Sequence, residues 1–406
     1  MGSLRRVAII GSSLAGIHAA EALRKAGYDS TITMVGEEQH LPYDRPPLSK
    51  QLLSGSWDTP RIQLRPHDVI EGLSLDWRRG QPAIALDPDA REVELQDASI
   101  VEYDALLVTT GTKPRSLPVP LGLTGVHTLR TLDDALAIRA ALDAMPRVVV
   151  VGGGFIGAEV GAEARRRGLG VTMVEALPRP LSRGLGDHMG EICGELHVAH
   201  GVDLRCGVTV RGFAGEGRLE RVALDDGTVV EADLAVVGVG SEPATKWLET
   251  SGLEIDNGVV CDAFCRASAP GVYAAGDVAR WHHPMTDELG RVEHWTNARE
   301  QAVAAVATLL ADHDHPGARM LTAYAPVPYV WSDQYGSRIQ VAGWTGGSDE
   351  VSVHRDAELG TTVALYRFGD RLGGVAGINA TRRLLPLRRM VADRAGWDEA
   401  LAAAAV

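Results

Sequence analysis

The stretch Arg147-Val148-Val149-Val150-Val151-Gly152-Gly153-Gly154-Phe155-Ile156-Gly157 decides the fold. Four consecutive valines suit a strand buried on both faces, as in a parallel sheet. The strand runs straight into G-x-G-x-x-G and then into an alanine-rich helical stretch ending near Gly168. In that pattern Gly152 permits the tight turn, Gly154 lets the backbone approach a pyrophosphate, and Gly157 lets helix and strand pack closely. Phe155 and Ile156 lie inside the turn and count among the binding residues. The helix N-terminus offers free N–H groups and partial positive charge to phosphate. Glu175 ends the next strand, VTMVE at 171–175. A carboxylate there can accept hydrogen bonds from both ribose hydroxyls of an adenosine and repels a 2′-phosphate, which favours NAD over NADP. Arg179 and Arg183 follow closely and leave some room for the phosphorylated cofactor.

Working outward, the same device occurs once before. Arg6–Gly27 holds an apolar strand, the turn Gly11-Ser12-Ser13-Leu14-Ala15-Gly16 and a helix, followed by TITMVGEE at 31–38. Ser13 replaces the middle glycine, a small residue that still allows close approach. Glu37 lies at the end of the next strand, in the expected ribose position. Two such units separated by about 140 residues predict two nucleotide-binding domains of one architecture. Further strands are expected at Tyr103–Thr110, at 233–240 and at 271–277. From residue 321 the pattern changes to alternating strands and a basic helix at Ala380–Ala395, an α+β domain. The fold class is therefore α/β, with two Rossmann-like domains and a C-terminal α+β domain. The boundaries read as 1–114 with 246–320, then 115–245, then 321–406.

Composition narrows the functions. Forty Lys and Arg against 53 Asp and Glu give a net charge of −13. Nucleic-acid binding, which needs clustered cations, is not expected. The four cysteines, Cys193, Cys206, Cys261 and Cys265, form no Cys-x-x-Cys pair and no disulfide framework, which suits a reducing compartment. Cys261 and Cys265 read as ordinary buried thiols, and no metal site is expected. The apolar run after Arg5-Arg6 contains Glu21 and lacks a cleavage site, so it is not read as an export signal. No apolar run reaches 18 residues, so no membrane span is expected, and the cytoplasm is the expected location.

An aspartate closing the strand GVYAAGD (271–277) and opening a helix can hydrogen-bond the ribityl hydroxyls of a flavin. With this segment added, the chain resembles the pyridine-nucleotide-dependent flavoprotein reductases of the glutathione-reductase superfamily, over nearly its whole length. The resemblance implies FAD on the first unit, with Gly11, Ser13, Ala15, Gly16, Glu37, Thr110, Gly111 and Asp277, and NAD on the second. Disulfide reductases of that superfamily carry a cysteine pair, and NADH oxidases and peroxidases a single cysteine, where this chain has LPYDRPPLSKQLLSG at 41–55, with none. Electrons must leave the flavin without a thiol relay.

The same stretch, with R-P-P-L-S-K at 45–50, resembles the ferredoxin reductases that serve bacterial cytochromes P450 and Rieske-type oxygenases. The resemblance implies that Arg45 and Arg130 contact FAD. It places Lys50 near the reacting edge of the flavin ring, where a cation stabilises the reduced, anionic form. Trp295 in E-H-W-T-N-A and Trp331 in V-W-S-D-Q would lie near the ring. Glu159, on the first turn of the second helix, would touch the nicotinamide end and pair with Lys50 in a buried ion pair. Lys50, Glu159 and Trp295 are the candidate catalytic residues. Ala83, where relatives often have valine, and Gly240, whose segment lacks the usual asparagine, bear on cofactor affinity.

The function implied is hydride transfer from NADH to FAD, then single-electron delivery to an iron–sulfur ferredoxin of 2Fe–2S or 3Fe–4S type, by a monomer or weak homodimer. Ferredoxins are usually acidic, so a basic patch is expected at Arg61, Arg65, Arg78 and Arg79, or on the helix bearing Arg382, Arg383, Arg388 and Arg389. The alternatives are another NADH-dependent flavoprotein, such as a rubredoxin or nitrite-reductase partner or an oxidase, and a flavin-containing interaction protein resembling apoptosis-inducing factor. Fast NADH–ferricyanide turnover with slow oxygen consumption would support a reductase, and negligible turnover with tight NAD binding the interaction protein.

Overall fold

The computed structural model describes residues 4–404. Two compact units emerge. The first comprises the chain up to Asp44, Ile62–Lys113 and Glu242–Pro326; the second comprises Arg45–Arg61, Pro114–Ser241 and the chain from Val327 on. The segment 45–61, read from the sequence as part of the first domain, thus packs within the second unit.

The first unit is built on a five-stranded sheet in the order Val272–Ala274, Ala105–Val108, Arg6–Ile10, Thr31–Gly36, Asp76–Arg79. Every neighbouring pair is parallel. Alternation along Arg6–Ile10 explains why the sheet is covered on both faces. Val7 and Ile9 enter a core with the helices Leu14–Lys25 and Trp295–Asp312, through Ile17, Leu23 and Leu309. Ala8 and Ile10 enter an opposite core with Val93, Val101 and the indole of Trp281. That second core also underlies a small antiparallel sheet, Ala83–Asp87, Glu92–Leu95 and Ile100–Glu102.

The second unit repeats the plan. Its parallel sheet runs Asp203–Cys206, Val171–Glu175, Val148–Val151, Leu234–Val237, Val126–Thr128. Val149 and Val151 pack against the antiparallel sheet Val210–Ala214, Arg221–Leu224, Val229–Glu231. A further antiparallel sheet, in the order Tyr329–Gln334, Ser337–Gly343, Arg371–Ile378, Thr361–Phe368, Glu350–Asp356, packs on the helix Ser182–Ala199 through Leu185, Met189 and Cys193. The first two strands meet in a two-residue turn, Tyr335-Gly336, with both φ angles positive (53° and 78°). This is the backbone twist that tight hairpins prefer. Helices Thr381–Ala392 and Trp397–Ala404 close the unit. The fold class read from the sequence is the one observed. The strands Glu350–Asp356 and Arg371–Ile378 had no clear signal, since the first is polar and the second carries Gly373, Gly374 and Gly377. Among the described residues no helix is long and apolar enough to cross a membrane.

Candidate functional site

In the first unit the parallel sheet brings the expected positions to its carboxyl edge, where doubly wound sheets bind ligands. Gly11 leaves its strand with φ +117°, and a Cβ there would lie 2.2 Å from the Thr109 carbonyl oxygen. The Thr109 hydroxyl donates to the carbonyl of Gly11 at 2.8 Å, joining the two strand ends. Ser13 caps the helix Leu14–Lys25 in an extended conformation, and its side chain makes no capping hydrogen bond. The first N–H groups of the helix therefore keep their donors for a ligand. At Gly276 a Cβ would meet Ala15 at 3.4 Å and Ala298 at 3.5 Å, so the turn before Asp277 packs against the starts of both helices. The Gly276 N–H donates to the buried Gln301 amide oxygen at 2.9 Å.

Asp277 does not open a helix, as the sequence suggested. It stands in a turn feeding the strand Ala279–His283, and the helix begins only at Trp295. The Thr112 hydroxyl reaches Asp277 Oδ2 at 3.5 Å. Thr110 donates to the Ala244 carbonyl at 3.0 Å, and Gly111 turns with φ +67°. Trp295 Nε1 donates to Asp44 Oδ1 at 2.7 Å, which fixes the indole. Ala83 starts the small antiparallel sheet, two residues past Gln81, whose N–H donates to the Gly36 carbonyl at 3.0 Å.

The second unit shows the same turn with different furniture. Gly152 has φ +99°, and a Cβ there would lie 2.3 Å from the Gly238 carbonyl oxygen. Gly154 caps the helix Phe155–Arg166 without a side chain, and nothing lies within 4 Å of where its Cβ would be. Glu175 is fixed at both oxygens: Oε2 accepts from the Gly153 N–H at 2.7 Å and Oε1 from the Leu177 N–H at 2.8 Å. A carboxylate has about four lone-pair sites, so acceptors remain for a diol. Phe155 packs beside Gly184, next to the exposed Arg183, while Ile156 is exposed. Arg179 lies 3.6 Å from Glu191. Gly240, past the end of Leu234–Val237, has φ +105° and accepts from the Arg115 N–H at 2.9 Å.

The most unusual chemistry lies at Glu159, which falls on the second turn of the helix Phe155–Arg166 and not on the first as the sequence suggested. The motif segment 45–50 enters a short π-helical turn, Leu48–Leu52, a form that recurs at functional sites. The turn aims Lys50 Nζ at Glu159 Oε1, 2.8 Å away, so the expected ion pair forms. The side chains are only 11% and 4% exposed. Ser332, from the strand Tyr329–Gln334, donates to the same oxygen at 2.6 Å, and Ser49 donates to Oε2. Burial pushes the Glu159 carboxyl above its ordinary range, against the pull of Lys50, Ser332 and Ser49. Burying such a pair costs desolvation energy and is weak evidence for stability. Strongly perturbed groups beside a cleft mark functional sites. Lys50, Glu159 and Ser49 line a cleft of about 450 Å³ that also includes Gln51, Tyr335 and Asp333.

Two arginines of the helix hold the segment in place: Arg167 donates to the Leu53 carbonyl, and Arg166 reaches the Ser54 carbonyl at 3.5 Å. Arg45 donates to the Arg130 carbonyl at 2.5 Å, and Arg130 precedes a helix fixed by a Thr131–Asp134 capping box. Trp331 stacks on Tyr329 with ring centroids 6.1 Å apart. Sequence reasoning missed Ser49, Ser332 and Gln334. They come from segments 110 and more residues from Glu159, and nothing in a linear sequence aims a hydroxyl.

The expected basic residues divide between the two units, and several are already engaged. Arg61 belongs to the second unit, whereas Arg65, Arg78 and Arg79 belong to the first. Arg65 pairs with Glu21, Arg78 with Asp76 at 3.1 Å, and Arg61 lies over the Trp57 ring at 4.6 Å. On the helix Thr381–Ala392, Arg388 covers the Tyr329 ring at 4.6 Å and Arg383 caps the Ala404 carbonyl at 2.5 Å. Arg382 and Arg389 are exposed there. Cys193, Cys261 and Cys265 are buried thiols; burial pushes Cys261 up to about 12 and raises the other two.

Two nucleotide-type turns, a cysteine-free motif segment and a buried Lys–Glu pair define a two-nucleotide oxidoreductase. The chain belongs to the pyridine nucleotide-disulphide oxidoreductase family, which it matches over residues 5–302, and residues 329–406 match the reductase C-terminal domain. It is 39% identical over 388 residues to rhodocoxin reductase of Rhodococcus erythropolis, covering 95% of this chain and 89% of the relative. It is 37% identical to the benzene 1,2-dioxygenase system ferredoxin–NAD(+) reductase subunit of Pseudomonas putida, covering 95% and 92%. The solved covalent complex of putidaredoxin reductase with putidaredoxin contains a chain of the same fold, with TM-score 0.91, 32% identity and coverage of 97% and 94%.

Proposed function

We infer that this chain is an FAD-dependent ferredoxin reductase that oxidises NADH and delivers single electrons to an iron–sulfur ferredoxin of an oxygenase system. The observation that carries the reading is the buried Lys50–Glu159 pair, whose carboxylate stands on the very helix whose N-terminus is the second glycine-rich turn. A charged pair is expensive to bury without a task. The relatives named above, reductases of oxygenase systems, support the partner class.

In this reading FAD takes Gly11, Ser13, Ala15, Gly16, Glu37, Ala83, Thr110, Gly111, Asp277 and Trp295 of the first unit, with Arg45, Lys50 and Arg130. NADH takes Gly152, Gly154, Phe155, Ile156, Gly157, Glu159, Glu175, Arg183 and Gly240. The residues fit these groups: both helix N-termini lack a side-chain cap, and the space over Gly154 is open. The flavin, when bound, accepts a hydride and releases its electrons one at a time. The protein's part is placement and field. Glu175 orients the adenosine ribose. Glu159 holds Lys50 in one direction, and Lys50 presents fixed positive charge to the reacting edge. Trp295, anchored by Asp44, closes a wall of the flavin site.

The reading is tested with the purified holoenzyme and a panel of 2Fe–2S and 3Fe–4S ferredoxins, coupled to cytochrome c, with NADH and NADPH compared. NADH should drive at least one ferredoxin quickly while oxygen consumption stays slow. Ferredoxin reduction should also slow steeply with salt, while NADH reduction of the bound flavin does not. Failure to reduce any ferredoxin, with fast oxygen turnover, would make the chain an oxidase.

A further inference from the structure

We propose that Ser332, backed by Gln334, is a positioning residue for the Lys50–Glu159 pair: from the first strand of the C-terminal sheet it supplies the hydroxyl that keeps Glu159 ionised and turned toward Lys50. The proposal rests on the reading above, in which that pair serves hydride transfer.

The donors have a single direction. The Gln334 amide nitrogen donates to Ser332 Oγ at 3.0 Å, so the serine oxygen is an acceptor there and its own proton is left for Glu159 Oε1, 2.6 Å away. Serine and glutamine are two residues apart on one strand, and hence on one face of it. Both are buried, at 0% and 1% exposure, so no water substitutes readily for either contact. Lys50 uses the same oxygen, and Ser49 takes the other. Glu159 is thereby clamped from two elements, the π-helical turn and the C-terminal strand.

The other charged groups near Glu159 are committed elsewhere. Glu163, one turn along the helix, binds Arg166 at 2.8 Å and Arg167 at 3.0 Å. Asp333 lies 3.4 Å from Arg338, and Arg165 donates to the carbonyls of His200 and Leu169. His200 stacks on the Tyr335 ring. Lys50 therefore supplies the charge, and the hydroxyls decide how far the carboxylate tolerates burial. Hydrogen bonds to an ionised group are the stronger kind, and losing one leaves the protonated form relatively favoured. Removing the Ser332 hydroxyl should raise the protonation midpoint of Glu159 by about one pH unit, a tenfold change in its ionisation equilibrium.

The test uses Ser332→Ala, Ser332→Thr, Gln334→Met and Glu159→Gln, each as FAD-loaded holoenzyme with flavin content and thermal unfolding checked. Infrared titration of the oxidised, NAD-free enzyme reads the protonated carboxyl band, assigned by its absence in E159Q. Rapid mixing with NADH reads the limiting rate of flavin reduction separately from NADH affinity. S332A should move the infrared midpoint up by about one unit and lower the limiting rate by up to about tenfold at pH values below the parent's midpoint, with NADH affinity within about twofold. S332T, which keeps the hydroxyl, should restore both, and Q334M should shift the midpoint in the same direction by less. An infrared midpoint unmoved in S332A and Q334M overturns the proposal. An E159Q enzyme that reduces its flavin at the parent rate overturns instead the reading on which the proposal rests.

Discussion

The two glycine-rich turns of this chain are alike in backbone and opposite in side chains. Register makes the correspondence firm. Ile10 pairs with Val35 in the first sheet and Val151 with Val174 in the second, and in each the next N–H, of Gly11 or Gly152, donates to that valine's carbonyl at 2.8 Å. Gly36 therefore occupies the position of Glu175, and Ser12 that of Gly153. In the first unit a Cβ on Gly36 would lie 2.1 Å from the Ser12 hydroxyl. In the second, Gly153 gives up its side chain, and the Glu175 carboxylate takes the space and the N–H. One side chain fits between the turn and the neighbouring strand end, contributed by the turn in one unit and by the strand in the other. Glu37, expected at the ribose position, comes one residue later. It is half-exposed and pairs with Lys113 at 3.0 Å.

The largest expected effect tests the shared backbone. Gly11→Ala and Gly152→Ala each force an L-residue into positive φ against a carbonyl oxygen. Each should cost at least about 2 kcal/mol of stability in its own unit. The losses should differ in kind: G11A loses bound flavin, whereas G152A keeps flavin absorbance and loses NADH binding. Thermal unfolding and NADH titration of the purified variants separate the two. Loss of both cofactors in both variants would show that the turns are not independent.

The next effect tests the opposite side chains. Glu175→Ala removes a carboxylate locked by two backbone N–H groups and, on the proposed reading, its contacts with the ribose. NADH affinity should fall by at least about tenfold. Glu37→Ala breaks an exposed pair with Lys113, and such pairs contribute about 0–1 kcal/mol. Flavin retention should change by no more than a few-fold. A Glu37 variant as damaging as E175A would mean that the one-residue offset closes when FAD binds.

This comparison also marks what the sequence could and could not reveal. The strand–turn–helix units were legible because four valines, glycine spacing and alanine-rich helices are local patterns, and local patterns follow the backbone period. That Glu37 falls one residue past the position in register with Glu175 was not legible, because counting from the glycines cannot show which strand residues pair. Asp277 was expected to open a helix, but a strand follows. The Lys50–Glu159 pair was expected from family resemblance. Its serine clamp was not, because hydrogen bonds between segments more than 100 residues apart leave no trace in spacing.

The smallest expected effect concerns a position where the two turns differ in sequence but little in shape. Ser13 and Gly154 are both extended helix caps, with φ −96° and −75°. Neither conformation needs glycine, and nothing surrounds the missing Cβ of Gly154. Gly154→Ser should therefore leave stability within about 0.5 kcal/mol of the parent. Ser13→Gly should do the same, because its hydroxyl makes no capping bond and glycine is a fair cap. If the open space above Gly154 is where pyrophosphate approaches, G154S should nonetheless weaken NADH binding by a few-fold, measured by titration, while S13G leaves flavin content unchanged. Equal NADH binding in G154S and the parent would mean that the middle glycine of the second turn is no more demanding than the serine of the first, and that the pyrophosphate contact depends on the flanking glycines alone.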